Sequence, residues 1–230
     1  MNELIFFGEL IFFLGAVLLC YKLFGKTGLY IFTVFGMILS SIQVLLFINI
    51  FGFEATGGNA LYAATFLITD ILNENYGKKQ ANRAVLLGFF TMLIWLGGTQ
   101  ITLLYIPNTA DFISPALKDL FGLIPRITLA SLLAYASSQL IDVQLYHIIW
   151  KKTGGGSKML WLRNNGSTFI SQLIDTAIFT TVAFYGAVET NVFISILLTT
   201  YLFKVIVAIG DTPFMYLARK IKPLNEQKEA

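Results

Sequence analysis

Seven long apolar stretches dominate the chain, at about 4–24, 29–51, 58–76, 84–106, 122–150, 167–186 and 192–218. A helix needs roughly 20 apolar residues to cross a hydrocarbon core about 30 Å thick. The first, second and fourth stretches are apolar nearly throughout, whereas the others carry acids and amides. The runs are continuous and lack the alternation of a barrel wall. The pattern therefore predicts an all-α membrane protein, one domain over 1–230 with seven transmembrane helices. The first stretch has no basic start, opens Asn2-Glu3 and shows no small-residue cleavage pattern before Lys22, so it reads as a mature helix.

Composition narrows the class. Only 13 % of the 230 residues are charged and 56 % are hydrophobic, against about 25 % charged in soluble domains. That density cannot coat a globule in water, which argues against a soluble enzyme, a disordered chain and a nucleic-acid module. One cysteine (Cys20) and one histidine (His147) give no disulfide framework and no transition-metal set, so neither cofactor nor metal is expected. The basic residues orient the chain. Lys22 and Lys26, then Lys78, Lys79 and Arg83, then Lys151, Lys152, Lys158 and Arg163, then Arg219, Lys220 and Lys222 fall in alternate connections. This places the N-terminus outside and the C-terminus in the cytoplasm.

An Asp or Lys at the centre of a span costs about 2.5–3.5 kcal/mol. Asp70, Asp142 and Asp211 lie 8, 9 and 8 positions before a cytoplasmic basic residue, and Asp175 lies 12 after Arg163. At 1.5 Å per residue these are depths of about 12–18 Å, close to the midplane of a 30 Å core. Four aspartates on four helices are thus expected to share one layer and one polar site. Steps of three and four gather Ser138, Gln139 and Asp142 on one face of the fifth span, and Tyr62, Thr65, Thr69 and Asn73 on one face of the third, with Phe66, Asp70 and Glu74 beside them. Gln172 and Asp175 cluster in the sixth. Lys204 and Asp211 are seven apart on the last helix and are expected to pair, for gating or for stability. The run Ser138-Gln139-Leu140-Ile141-Asp142 recurs as Ser171-Gln172-Leu173-Ile174-Asp175, an echo that could present two amide-and-carboxylate pairs to one cavity. Carboxylates accept paired N–H donors, amides serve a carbonyl, and aromatic rings stack, so the inventory suits a flat, nitrogen-rich solute with a guanine-like edge.

The run Phe66-Leu67-Ile68-Thr69-Asp70-Ile71-Leu72-Asn73-Glu74-Asn75-Tyr76-Gly77-Lys78-Lys79 resembles the signature of the queuosine precursor transporter family, also called the vitamin uptake transporter family. The run from Trp161 through Thr168 and on to Thr176 resembles its second signature, and Ala134-Tyr135 with Ser138 to Val143 also match. The likeness covers about residues 30–222, so the stretch 4–24 stands as an extra N-terminal helix. It implies import of the cyano and aminomethyl deazaguanine precursors of queuosine across a bacterial inner membrane, for salvage into tRNA. It also implies a fold similar to the substrate-binding subunits of energy-coupling-factor transporters. Relatives often carry Ser-Asn where this chain has Ser40-Ser41-Ile42-Gln43, and Gln43 could take over that Asn's role. On this reading Asp70, Gln139, Asp142, Gln172 and Asp175 hydrogen-bond the base, Asn73 adds a contact or caps a helix, and Phe66 or Tyr62 stacks on the ring. Glu74 meets an aminomethyl group or closes the cytoplasmic side. The expected partners are the solute and the lipid bilayer, with no nucleic acid; the oligomeric state, a homodimer included, stays open. The alternatives are a binding subunit for another vitamin or purine-like solute, or a membrane scaffold with no solute.

Catalysis is not expected. Gly25-Lys26-Thr27 ends like a phosphate-binding loop, but Cys20 stands where such a loop needs glycine. An intramembrane aspartyl protease would want Gly-x-Gly-Asp, and Ala208 stands at the first position of Ala208-Ile209-Gly210-Asp211.

Overall fold

A computed structural model describes residues 1–122, 124–186 and 189–225, without the side chains of Phe47, residues 53–56, Ala63, Ile124, Ile127 and Val192. Helix α1 (Asn2–Gln43) is broken at Gly25, whose φ of 55° and ψ of −139° are open to glycine and strained for other residues. The second arm folds back on the first so closely that a Cβ at Gly28 would lie 2.3 Å from the Cys20 carbonyl oxygen. Gln43 Nε2 donates to Glu9 Oε1 at 2.7 Å across the far end of this hairpin. A role for Gln43 in place of the relatives' Asn is thus met by a partner inside the first arm.

The second expected span, 29–51, ends early. Helix stops at Gln43, and the chain forms strands β1 (Phe47–Ile50) and β2 (Phe53–Thr56), paired antiparallel. Phe51 and Gly52 both have positive φ, 52° and 81°, as a two-residue hairpin turn of the primed type requires. Aromatic and β-branched residues around that turn favour strand over a last turn of helix. The hairpin is tied to the start of the chain by Asn2 Nδ2 on the Asn49 carbonyl and by the Phe51 N–H on Glu3 Oε1, both 3.0 Å.

Five further long helices follow: α2 (Asn59–Tyr76), α3 (Lys78–Thr102), α5 (Ile124–Thr153), α6 (Leu160–Phe184) and α7 (Thr190–Lys220). The short α4 (Ser114–Gly122) lies in the fourth connection, where the sequence reading foresaw no helix. Its start is fixed by Asp111, which accepts the Ser114 N–H at 3.1 Å, and hydrogen bonding from the Ser114 side chain, with that N–H, holds the Asp111 carboxyl below its usual range. Among the described residues four helices are long and apolar enough to cross a bilayer: α1, α3, α6 with the short 3₁₀ turn before it, and α7. Helix α2 falls short for a physical reason. Its described side chains from Ala64 to Asn73 are all buried, so it is lined by protein and need not be apolar all round.

The molecule is apolar outside and polar within. Ile11, Phe12, Ile31, Phe90, Ile94, Leu129, Leu198 and Leu202 are exposed, while Asp70, Asn73, Gln139, Asp142, Arg163 and Asn164 are completely buried. Water would not sustain that arrangement, and a bilayer does. The chain is a multi-pass membrane protein. Its first arm belongs to the same core as the rest: Phe6, Leu10, Phe13, Leu14 and Val17 are buried, and Phe6 meets Phe203 of α7 edge to face at 6.4 Å.

Helices α3 and α5 cross where Gly88 makes a notch for Tyr135, since a Cβ at Gly88 would lie 2.2 Å from the Tyr135 hydroxyl oxygen and 2.7 Å from Cζ. The rigid ring is 1 % exposed and has no room to swing away. Gly88→Ala is therefore expected to cost about 1–3 kcal/mol. The melting temperature in detergent checks this, and an unchanged value would show that the ring can move.

Candidate functional site

Helix α2 runs through the centre and meets α5, α6 and α7 at three successive levels. At the first, Tyr62 Oη donates to Asp175 Oδ1 at 2.6 Å, Ser138 Oγ donates to the same oxygen at 2.8 Å, and Lys204 forms an ion pair with Asp175 Oδ2. Asp175 is thus served by three donors from α2, α5 and α7. The Lys204 ammonium also lies 5.2 Å from the centre of the Tyr62 ring.

One to two turns further along α2, Thr69 Oγ1 donates to Gln139 Oε1 at 3.0 Å and Gln139 Nε2 donates to Thr65 Oγ1 at 3.3 Å. The second level follows. Asp70 of α2 and Asp142 of α5 face each other closely enough for their carboxyls to interact, and Asp211 of α7 is within electrostatic reach of both. Ser171 Oγ donates to Asp142 Oδ1 at 2.8 Å, Thr168 Oγ1 to Asp70 Oδ2 at 3.5 Å, and Asn164 Nδ2 to Asp211 Oδ1 at 2.7 Å. Among the described residues the other oxygens of Asp70 and Asp142 have no hydrogen-bond partner, nor do Asn73 Oδ1, Asn164 Oδ1 and Gln172 Oε1. All five side chains are at most 2 % exposed, a placement that ordinarily demands partners.

The third level lies at the C-terminal end of α2. Glu74 accepts from Arg163 Nη2 at 2.8 Å and Nε at 3.2 Å, from Tyr146 Oη at 2.8 Å, and forms a second ion pair with Arg219 at 3.2 Å. Arg163 Nη1 also donates to the carbonyls of Gly154 and Gly156, at 2.8 and 3.1 Å. The glycine turn between α5 and α6 is thereby fastened to α2 through one fully buried guanidinium.

The sequence echo takes a definite geometric form. Four residues up α5 from Ser138 is Asp142, and four residues down the antiparallel α6 from Asp175 is Ser171. Ser138 therefore reaches Asp175 and Ser171 reaches Asp142, each at 2.8 Å. Each copy's serine serves the other copy's aspartate, so the two amide-and-carboxylate pairs interlock and do not stand side by side.

Several expectations change here. The four aspartates do not share one layer: Asp175 lies at the level of Tyr62 and Ser138, Asp142 about one turn below, and Asp70 and Asp211 about two turns or more below. Lys204 pairs with Asp175 and not with Asp211, because two turns on one helix separate Lys204 from Asp211 while α6 brings Asp175 directly across. Glu74 is occupied by two arginines and a tyrosine, which fastens α2 to α5, α6 and α7 and leaves no oxygen for a solute amine. Tyr62 spends its hydroxyl on Asp175, and Phe66 is fully buried against the Tyr62 ring at 5.8 Å, edge to face. Asn73 Nδ2 donates to the Val143 carbonyl at 3.2 Å, so it bridges α2 to α5. Arg163 and Asn164, expected from the sequence only to organise the entry to the sixth span with Trp161 and Asn165, are buried parts of this network; both lie within the first turns of α6, which begins seven residues before the expected 167. The arginine of the run Trp161 to Asn165 was the available signal.

Residues 56–218 match the family model described as "Putative vitamin uptake transporter". A "Probable queuosine precursor transporter" of Bacillus subtilis (strain 168) is 43 % identical over 211 residues, 92 % of each chain. The "Queuosine precursor transporter" of Escherichia coli (strain K12) is 28 % identical over 173 residues, 74 % of this chain and 75 % of its own. No solved structure matches the chain significantly. With most of its length aligned to both the family model and a relative this similar, the chain belongs to the vitamin uptake transporter family, the family of the queuosine precursor transporters.

Proposed function

We propose that the protein imports a deazaguanine precursor of queuosine, in its cyano or aminomethyl form, across a bacterial inner membrane. The two arms of α1 with α2, α3, α5, α6 and α7 supply seven spans, the N-terminus outside and the C-terminus in the cytoplasm. The base sits at the Asp70–Asp142 level, held by those two carboxylates and by Asn73, Gln139 and Gln172. One observation carries this reading: among the described residues, one buried carboxylate oxygen of Asp70 and one of Asp142 have no hydrogen-bond donor. A scaffold would have matched its acids with protein donors, as happens at Asp175. A guest presenting several N–H groups supplies what Asp70 and Asp142 lack, and the guanine edge is such a guest. The names of the relatives agree with it.

Purified protein in proteoliposomes should accumulate labelled aminomethyl or cyano deazaguanine above protein-free vesicles. The same bases should raise its melting temperature in detergent, since a ligand that binds only the folded state stabilises it. Adenine, which lacks the paired donor edge, should do neither. Absence of uptake and of any thermal shift with both bases would remove the proposal.

A further inference from the structure

The interlocked serines make Asp142 and Asp175 near equivalents. Each lies on one of two antiparallel helices, and each accepts through Oδ1 the hydroxyl of the other copy's serine at 2.8 Å. What α2 and α7 bring to them is opposite. To Asp175 they bring two donors, the Tyr62 hydroxyl and the Lys204 ammonium. To Asp142 they bring two acids, Asp70 and Asp211. The Oδ2 of Asp175 carries the ammonium, whereas the Oδ2 of Asp142 is buried with no hydrogen-bond partner among the described residues.

We infer that Lys204 is a resident counter-ion marking, at Asp175, the position that a nitrogen donor of the solute takes at Asp142 Oδ2. Lys204 and Asp175 are then specificity-determining by subtraction. Their pairing withdraws one of two matched carboxylates from the solute, so the guest is read by Asp142 and its neighbour Asp70 alone. This gives the two halves of the echo different work. Asp142 touches the solute, and Asp175 positions α6 through α5, α2 and α7. A solute with a single N–H donor or none leaves Asp142 unserved and is rejected, because an unpaired buried carboxylate is costly.

The inference rests on the function proposed above, and the test separates the two. Five variants are compared with the parent protein by melting temperature and by deazaguanine-induced thermal shift: Asp175→Asn, Lys204→Gln, the double variant Asp175→Asn/Lys204→Gln, Asp142→Asn, and Asp142→Asn/Lys204→Gln. Each single change in the pair strands its partner and should lower the melting temperature. The double variant should recover it and bind the base within about threefold of the parent protein. Asp142→Asn should stay folded and lose binding by more than about tenfold, and adding Lys204→Gln should not restore it. A double variant that fails to fold, or that folds and has lost the base, shows that the pair is not a replaceable counter-charge and overturns the inference. If the parent protein shows no shift with any deazaguanine, the function itself falls.

Discussion

Arg163→Ala is expected to lower the melting temperature by about 10 °C and to leave little protein recoverable from the membrane. The side chain is fully buried, gives Glu74 two hydrogen bonds, holds two glycine carbonyls and lies 5.9 Å from the centre of the Trp150 ring. Removing one partner from a buried ion pair costs about 3–5 kcal/mol, because the other charge is left without compensation. In a chain of this size each kcal/mol moves the midpoint by about 2–4 °C. Arg219 softens the loss, since it reaches the same carboxylate from the end of α7, but it is one-third exposed and screened accordingly. Lysine at 163 should rescue only part of the stability, as an ammonium cannot serve a carboxylate and two carbonyls in one plane. A melting temperature unchanged in Arg163→Ala would show that the glycine turn is held by other contacts.

Asp142→Asn is the second large effect, and its sign differs between function and stability. Uptake should fall about 10- to 100-fold, the worth of one or two hydrogen bonds to a charged acceptor. The ligand-free protein should melt no lower than the parent. Asparagine keeps an oxygen for the Ser171 hydroxyl and removes a buried charge that faces Asp70 and Asp211. Sites built for a guest often hold such unsatisfied groups at the expense of stability. Asp70→Asn should behave alike. Asp175→Asn should not, since it strands Lys204. Full uptake with Asp142→Asn would place the solute elsewhere.

The contrast between Asp142 and Asp175 shows where sequence reasoning stops. Both sit in identical five-residue runs, and both were assigned the same role from that identity. Only the packing of α7 gives one an ammonium and the other a third acid. A lysine two turns from an aspartate on its own helix looks like its partner along the chain. Ion pairs in a low-dielectric interior are set by the nearest opposite charge in space, which here belongs to α6. Glu74 shows the same limit: its two arginines lie 89 and 145 positions away.

By itself the sequence determined that the chain lies in a membrane, which stretches are helical, and which polar side chains the interior must hold. Those follow from hydropathy and from the cost of burying charge, both properties of single residues and their spacing. The strand pair that replaces the end of the second stretch, tied to the start of the chain, and the choice of partner for each buried acid were decided by tertiary structure. Each depends on how close two distant backbones come, and no local pattern records that distance.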